Sequence, residues 1–183
     1  MANTTSDSRA EQTSAQGILP PGYRLPAETK LGRVSLQVAD LERSLAYYRT
    51  VLGLHLQEQS GNVAVLGALG DSRPIVELHA RTGATPVPRR GRLGLYHFAI
   101  LLPDRVSLGR FVKHLDGLGV HAGMSDHFVS EAIYLSDPDD NGIELYWDRP
   151  RDVWPHREDG SLDIYTRPLD LRGLMAELEG EAA

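Results

Sequence analysis

A carboxylate and a basic side chain recur at matching places in two stretches of this chain. Arg33 opens Gly32-Arg33-Val34-Ser35-Leu36-Gln37-Val38-Ala39-Asp40, and Glu77 closes that stretch within Ile75-Val76-Glu77-Leu78-His79. His97 opens Tyr96-His97-Phe98-Ala99-Ile100-Leu101-Leu102-Pro103-Asp104, and Glu144 closes the second within Gly142-Ile143-Glu144-Leu145-Tyr146. An imidazole and carboxylates converging in a concave site form a donor set for a divalent metal of the iron, manganese, nickel or zinc type. The competing chemistry is an ion pair between Arg33 and a Glu, with His97 hydrogen-bonded inside its sheet. Which one holds depends on the elements that carry these residues.

Side chains at i and i+2 of a strand share a face. Val34, Leu36 and Val38 belong to a core, as do Phe98, Ile100 and Leu102. Arg33 and His97 fall on the more polar face, while Glu77 points with His79 and Glu144 with Tyr146. Asp40 is an N-cap for a helix over 41–52, with Leu41, Leu45, Tyr48 and Leu52 on one side and Gly53 as its stop. Asp104 caps a second helix running to about Gly117 and carrying Leu108, Phe111, Val112 and Leu115. Strands are expected at 54–57, 63–66 and 75–79, then at 131–135 and 142–147, the last two joined by the turn formers of 136–141. A repeat of this length implies one supersecondary unit used twice. The expected fold is α+β: two βαβββ modules, 31–80 and 94–150, packed as a curved, cup-shaped mixed sheet whose interior the ionisable face lines. Residues 1–30 form a disordered or extended arm, 81–93 a Gly/Pro linker, and 151–183 a tail with an extended stretch at 163–166 and a short helix at 171–179.

Composition narrows the function. The chain has 183 residues and a net charge of −6, which argues against nucleic acid as a partner. The cluster of Arg81, Arg89, Arg90 and Arg92 reads as a solvated linker face. Cysteine is absent, so disulfides, thiolate metal sites and cysteine nucleophiles are excluded. No apolar run suits a membrane helix and no signal-peptide core is visible, so a cytoplasmic protein without a membrane partner is expected. Gly67-Ala68-Leu69-Gly70 lacks the Lys-Ser/Thr of a phosphate loop. Asp137-Pro138-Asp139-Asp140-Asn141-Gly142 lacks the distal Glu of a calcium loop and reads as a hairpin turn.

Several segments resemble the vicinal oxygen chelate superfamily, which includes glyoxalase I, bleomycin-resistance proteins and extradiol ring-cleaving dioxygenases. They are Gly32–Asp40, Leu41-Glu42-Arg43-Ser44-Leu45-Ala46-Tyr47-Tyr48 and Val51-Leu52-Gly53. Leu95–Pro103, Ser125-Asp126-His127-Phe128-Val129-Ser130-Glu131-Ala132-Ile133-Tyr134-Leu135, Asp137–Trp147 and Asp148-Arg149-Pro150 look closest to the catechol 2,3-dioxygenase-like branch. The likeness spans 31–155, one module pair where long members carry two.

The resemblance implies metal ligands at His97 and Glu144, with Glu77 matching the ligand of glyoxalase-like members. It implies substrate contacts at His127 and Tyr134. Arg33 departs from the pattern: it stands where a ligand His or Gln would be, and a guanidinium has no acceptor with which to ligate. The two-His, one-carboxylate set then needs His127 or a residue of a partner chain. The implied cofactor is a divalent metal, Fe(II) first, with Mn, Ni or Zn as alternatives. The implied activity is ring cleavage of a small aromatic diol, with His127 moving a proton and Arg33 stabilising negative charge. The alternatives are a glyoxalase-like isomerase or lyase, or a metal-free small-molecule binding protein. A homodimer is implied, with the arm at 18–30 as a clasp.

Overall fold

The computed structural model describes residues 22, 24–86 and 94–181. The expected arm at 1–30 therefore lies mostly outside the described residues, as do 87–93 of the linker and the last two positions of the tail.

Both halves fold by the same local rules. In the first, β1 (Val34–Val38) leads to α1 (Leu41–Thr50), then β2 (His55–Ser60), β3 (Val63–Gly67) and β4 (Pro74–Ala80). In the second, β5 (Phe98–Leu101), α2 (Arg105–Leu118), β6 (Gly123–Asp126), β7 (Ser130–Ser136) and β8 (Gly142–Asp148) repeat that order. Each helix starts where a carboxylate meets an orphan donor of its first turn. Asp40 accepts the Arg43 N–H at 3.0 Å, and Asp104 accepts that of Ser107 at 2.7 Å.

The helix ends differ from expectation. α1 stops at Thr50, two residues short of the expected end. α2 runs past Gly117 to Leu118, because the left-handed position is Gly119, with φ 66°. There the N–H groups of Gly119 and Val120 bond back to Asp116 and Leu115. β6 was not among the expected strands. Its Gly-Met-Ser-Asp sequence has little intrinsic strand preference, so pairing with β7 decides its conformation.

Backbone pairing yields two mixed sheets, one to each module. The first has the order β1-β4-β3-β2 and the second β5-β8-β7-β6-β9, where β9 is Arg167–Pro168. β1 pairs parallel with β4 and β5 with β8; the other pairings are antiparallel. The extended stretch expected at 163–166 is realised one step later, as β9 on the outer edge of β6. Beyond it, α3 (Leu171–Glu181) buries Leu174 completely beside Gly109 of α2. The hydrophobic core joins Leu36, Val38, Leu45, Leu66, Val76 and Leu78 of the first module to Leu108, Leu115, Ile133, Ile143 and Leu145 of the second. Full burial of each large aliphatic side chain contributes roughly 1.5–3 kcal/mol.

The second module grips α1 at both ends. In the β7–β8 loop, the buried Asp139 carboxylate accepts from the Ala39 N–H at 3.2 Å, Arg43 Nη2 at 2.7 Å and Ser44 Oγ at 3.3 Å. Its neighbour Asp137 accepts from Tyr48 Oη at 3.0 Å. At the far end, the His114 ring meets the Thr50 carbonyl at 2.8 Å. An acid at a helix N-terminus and an imidazole at its C-terminus both suit the helix dipole. The loop thus spends its carboxylates on protein donors, as a turn rather than a cation cradle.

Two adjacent tyrosines on α1 test this joint. Burial first, then the Asp137 charge, pushes the Tyr48 hydroxyl far up, so it stays a donor. Tyr47, pushed up to about 12 by the same two causes, has no hydrogen-bond partner for its buried hydroxyl among the described residues. In urea unfolding, Tyr48→Phe is expected to lose about 1–3 kcal/mol, because a buried carboxylate loses a donor. Tyr47→Phe should leave stability unchanged or raise it. Equal losses in the two variants would show that the Tyr48–Asp137 bond contributes nothing.

Candidate active site

Strand register brings the chemistry of the second module together. The loop at 137–141 closes the hairpin with Ser136 opposite Gly142, so Tyr134 falls opposite Glu144. Parallel pairing places Ala99 on the other side of Glu144 and Leu101 beside Tyr146. Gly142 lets β8 begin tight against the segment before β5: a Cβ there would collide with the Tyr96 carbonyl. Glu144 and His97 meet as a result.

His97 Nε2 lies 2.8 Å from Glu144 Oε2. The other carboxylate oxygen accepts from Tyr134 Oη at 2.9 Å, and His127 Nε2 lies 2.8 Å from that same hydroxyl. On the far side of the imidazole, His127 Nδ1 is 3.1 Å from Thr166 Oγ1. Five side chains from four places in the sequence thus form one unbroken line. Burial, and after it the hydrogen bond to Glu144 and that carboxylate's charge, pushes the Tyr134 hydroxyl well above its ordinary value. It therefore works as a proton donor, not as a phenolate. Tyr146 is raised by burial and then by the charges of Asp148 and Glu144.

The corresponding face of the first module has become something else. Arg33 Nε contacts Glu77 Oε2, and His79 Nε2 lies 2.5 Å from Glu77 Oε1. Both carboxylate oxygens are taken, one by a permanent cation that is itself half exposed. Arg33, Glu77 and His79 form one cluster; His97, Glu144, Tyr134 and His127 form another. Among the described residues no three His, Asp or Glu side chains gather in a way that could hold a metal ion.

A third set of charges supports the second cluster from behind. Arg149 bonds Asp126 through both terminal nitrogens, at 2.7 and 3.1 Å, and Glu131 at 2.6 Å. Arg105 bridges Glu131 at 2.7 Å to Glu177 of α3, and Arg167 reaches Asp126 from β9. Burial pushes the Asp126 carboxyl up, but hydrogen bonds from Arg149, the Phe128 N–H and Arg167 outweigh it and hold the group at about 2. This network and Thr166 were missed in the sequence. Alternation of acid and base between 126 and 167 was the available signal, but pairing over tens of residues needs the register of β6 with β7 and β9.

Family comparison agrees with this architecture. The model of the Glyoxalase/Bleomycin resistance protein/Dioxygenase superfamily matches residues 30–145. The chain belongs to that superfamily. It is 43% identical over 154 residues to a catechol-2,3-dioxygenase of Bacillus subtilis (strain 168), a match covering 84% of this chain and 54% of that protein. The chain therefore spans about half the length of that relative. Among solved structures, a glyoxalase/bleomycin resistance protein/dioxygenase from Alicyclobacillus acidocaldarius aligns with a TM-score of 0.55 and 20% identity, over 68% of this chain and 95% of that one. A glyoxalase/dioxygenase from Nostoc punctiforme aligns with a TM-score of 0.53 and 22% identity, over 75% and 100%. At such identities these two likenesses speak for the superfamily fold alone. No helix among the described residues is long and apolar enough to cross a membrane.

Asp126 yields a pH prediction. Its folded value is depressed below the unfolded carboxylate value of about 3.9, so its stabilisation is complete above that value and is lost as pH falls toward 2. About 2 kcal/mol should disappear between roughly pH 4 and 2. Urea midpoints across that window should fall more steeply for the natural chain than for Asp126→Asn; parallel slopes would refute the assignment.

Proposed function

We propose that this chain is a small-molecule enzyme of the vicinal oxygen chelate kind, resembling extradiol ring-cleaving dioxygenases and acting on a small aromatic diol. The observation that carries the reading is the convergence of His97 and Glu144, 2.8 Å apart, at the end of the Tyr134–His127 line. Tyr96 stands largely open to solvent and packs against the His97 ring at 5.1 Å. A largely buried carboxylate near an exposed aromatic side chain suits a ligand with an apolar ring and a polar edge.

A divalent metal, Fe(II) first with Mn, Ni or Zn as alternatives, would take His97 and Glu144 as two donors and supply Lewis acidity toward vicinal oxygens. The donor set fits that ion only in part. Arg33 stands in the other cluster, cannot ligate, and no third donor joins the pair among the described residues. The chain's own residues supply the remaining chemistry. The Glu144 carboxylate is placed to accept a proton from a diol hydroxyl, Tyr134 to donate to a substrate oxygen, and His127 to restore the Tyr134 proton. Arg33, half exposed in the matching position of the first module, would face a substrate anion once released from Glu77. Glu77, which a glyoxalase-like isomerase would use together with Glu144, is already held by Arg33 and His79 in the first module.

The Arg33–Glu77 ion pair favours one second reading, a metal-free protein that binds a small polar ligand. Anaerobic titration with Fe(II), followed by catechol and air, separates the two. The enzyme reading expects stoichiometric metal, a yellow ring-opened product, and metal binding weakened by more than about tenfold in His97→Ala and in Glu144→Gln. Catechol bound without metal or turnover would replace it with the binding protein. The proposal extends to a cytoplasmic homodimer without nucleic acid as a partner. A chain truncated before Leu31 should elute as a smaller assembly if the arm is its clasp.

A further inference from the structure

The tail does more than lengthen a sheet. Three consecutive tail residues grip three consecutive residues at the turn between β6 and β7. Arg167 pairs with the Asp126 carboxylate at 2.8 Å and lays its guanidinium 4.3 Å from the centre of the Phe128 ring. Tyr165 meets that ring edge-on at 6.0 Å. Between them, Thr166 sets its hydroxyl 3.1 Å from His127 Nδ1. The turn depends on such support, since Phe128 is held at φ 69°, a region unfavourable for a residue with a bulky side chain. Asp126 Oδ1 fixes the Phe128 N–H at 2.8 Å, and the His127 N–H donates to the Ser130 carbonyl.

Donor and acceptor counting then sets the state of the imidazole. A carboxylate only accepts, so Tyr134 gives its single proton to Glu144 and presents a lone pair to His127. His127 Nε2, 2.8 Å from that oxygen, must carry a proton. In the neutral ring Nδ1 is then a bare acceptor, and the neighbouring hydroxyl is that of Thr166. We propose that Thr166 is a positioning residue, donating to Nδ1 and locking His127 as the Nε2–H tautomer aimed through Tyr134 at Glu144. Its role in turnover rests on the catalytic reading of His127 above, whereas the locked tautomer does not. The backbone pairing of β9 joins Ser125 to Pro168 and Asp126 to Arg167. Loss of the Thr166 hydroxyl therefore leaves the tail docked.

Two-bond proton–nitrogen NMR of the full chain, labelled at histidine, reads this lock without substrate or metal. The spectra are taken about two pH units above the ordinary imidazole value of about 6.5, with His127→Gln assigning the resonance. The natural chain should show His127 as the Nε2–H form with widely separated ring nitrogens. In Thr166→Val the tautomer ratio should fall about fivefold, the equivalent of about 1 kcal/mol for one neutral hydrogen bond, and the two nitrogens should draw together. Thr166→Ser should restore the natural pattern. A predominant Nδ1–H form in the natural chain, an unchanged ratio in Thr166→Val, or an equal fall in Thr166→Ser overturns the proposal. Failure of ring cleavage with an intact lock would overturn the dioxygenase reading alone.

Discussion

The β7–β8 loop is the constraint on which both the architecture and the site depend. Asp139 and Asp137 dock it against the first two turns of α1, which ties the second module to the first. The same five residues close the hairpin, with Asp137 accepting from the Asp139 and Asn141 N–H groups. Loop length sets strand register, and register sets which side chains face each other. A one-residue slip would turn Tyr134 away from Glu144 and bring the Ile133 face outward. Buried carboxylates bind the loop firmly because losing a donor would strand a charge in the interior.

Duplication with divergence explains why one fold carries two clusters. Residues 33 and 97 precede equivalent strands, and residues 77 and 144 stand at equivalent places on the partner strands. A guanidinium at the first place neutralises its glutamate permanently. An imidazole at the second can donate through one ring nitrogen and accept through the other, whereas a guanidinium only donates. Chemical potential therefore gathers in the second module. There the neighbouring strand contributes Tyr134 where the first module has Val65 opposite Glu77.

Behind that cluster, the arginines at 105, 149 and 167 fasten β6, β7, α2 and the tail around Asp126 and Glu131. Ion pairs this well buried cost desolvation and are weak evidence for net stability. Their effect here is geometric. They hold the turn at 127–129, and with it the orientation of His127, by contacts from several directions.

Much of this was legible in the residues alone. The doubled βαβββ plan followed from repeated apolar alternation and two Asp caps. The i, i+2 rule placed Glu77 with His79, and Arg33 and His97 on the polar faces. These are local properties, set by backbone periodicity and short-range hydrogen bonds. The strand at 123–126, the partners of Asp126 and the hydroxyl of Thr166 were not legible, because each depends on contacts between residues far apart in the chain. Sequence by itself determined the repeated elements other than the strand at 123–126, and the faces their side chains occupy. Only the tertiary structure decided that Glu77 goes to an arginine and Glu144 to a tyrosine and an imidazole, because partner choice is set by register and loop docking, not by local preference.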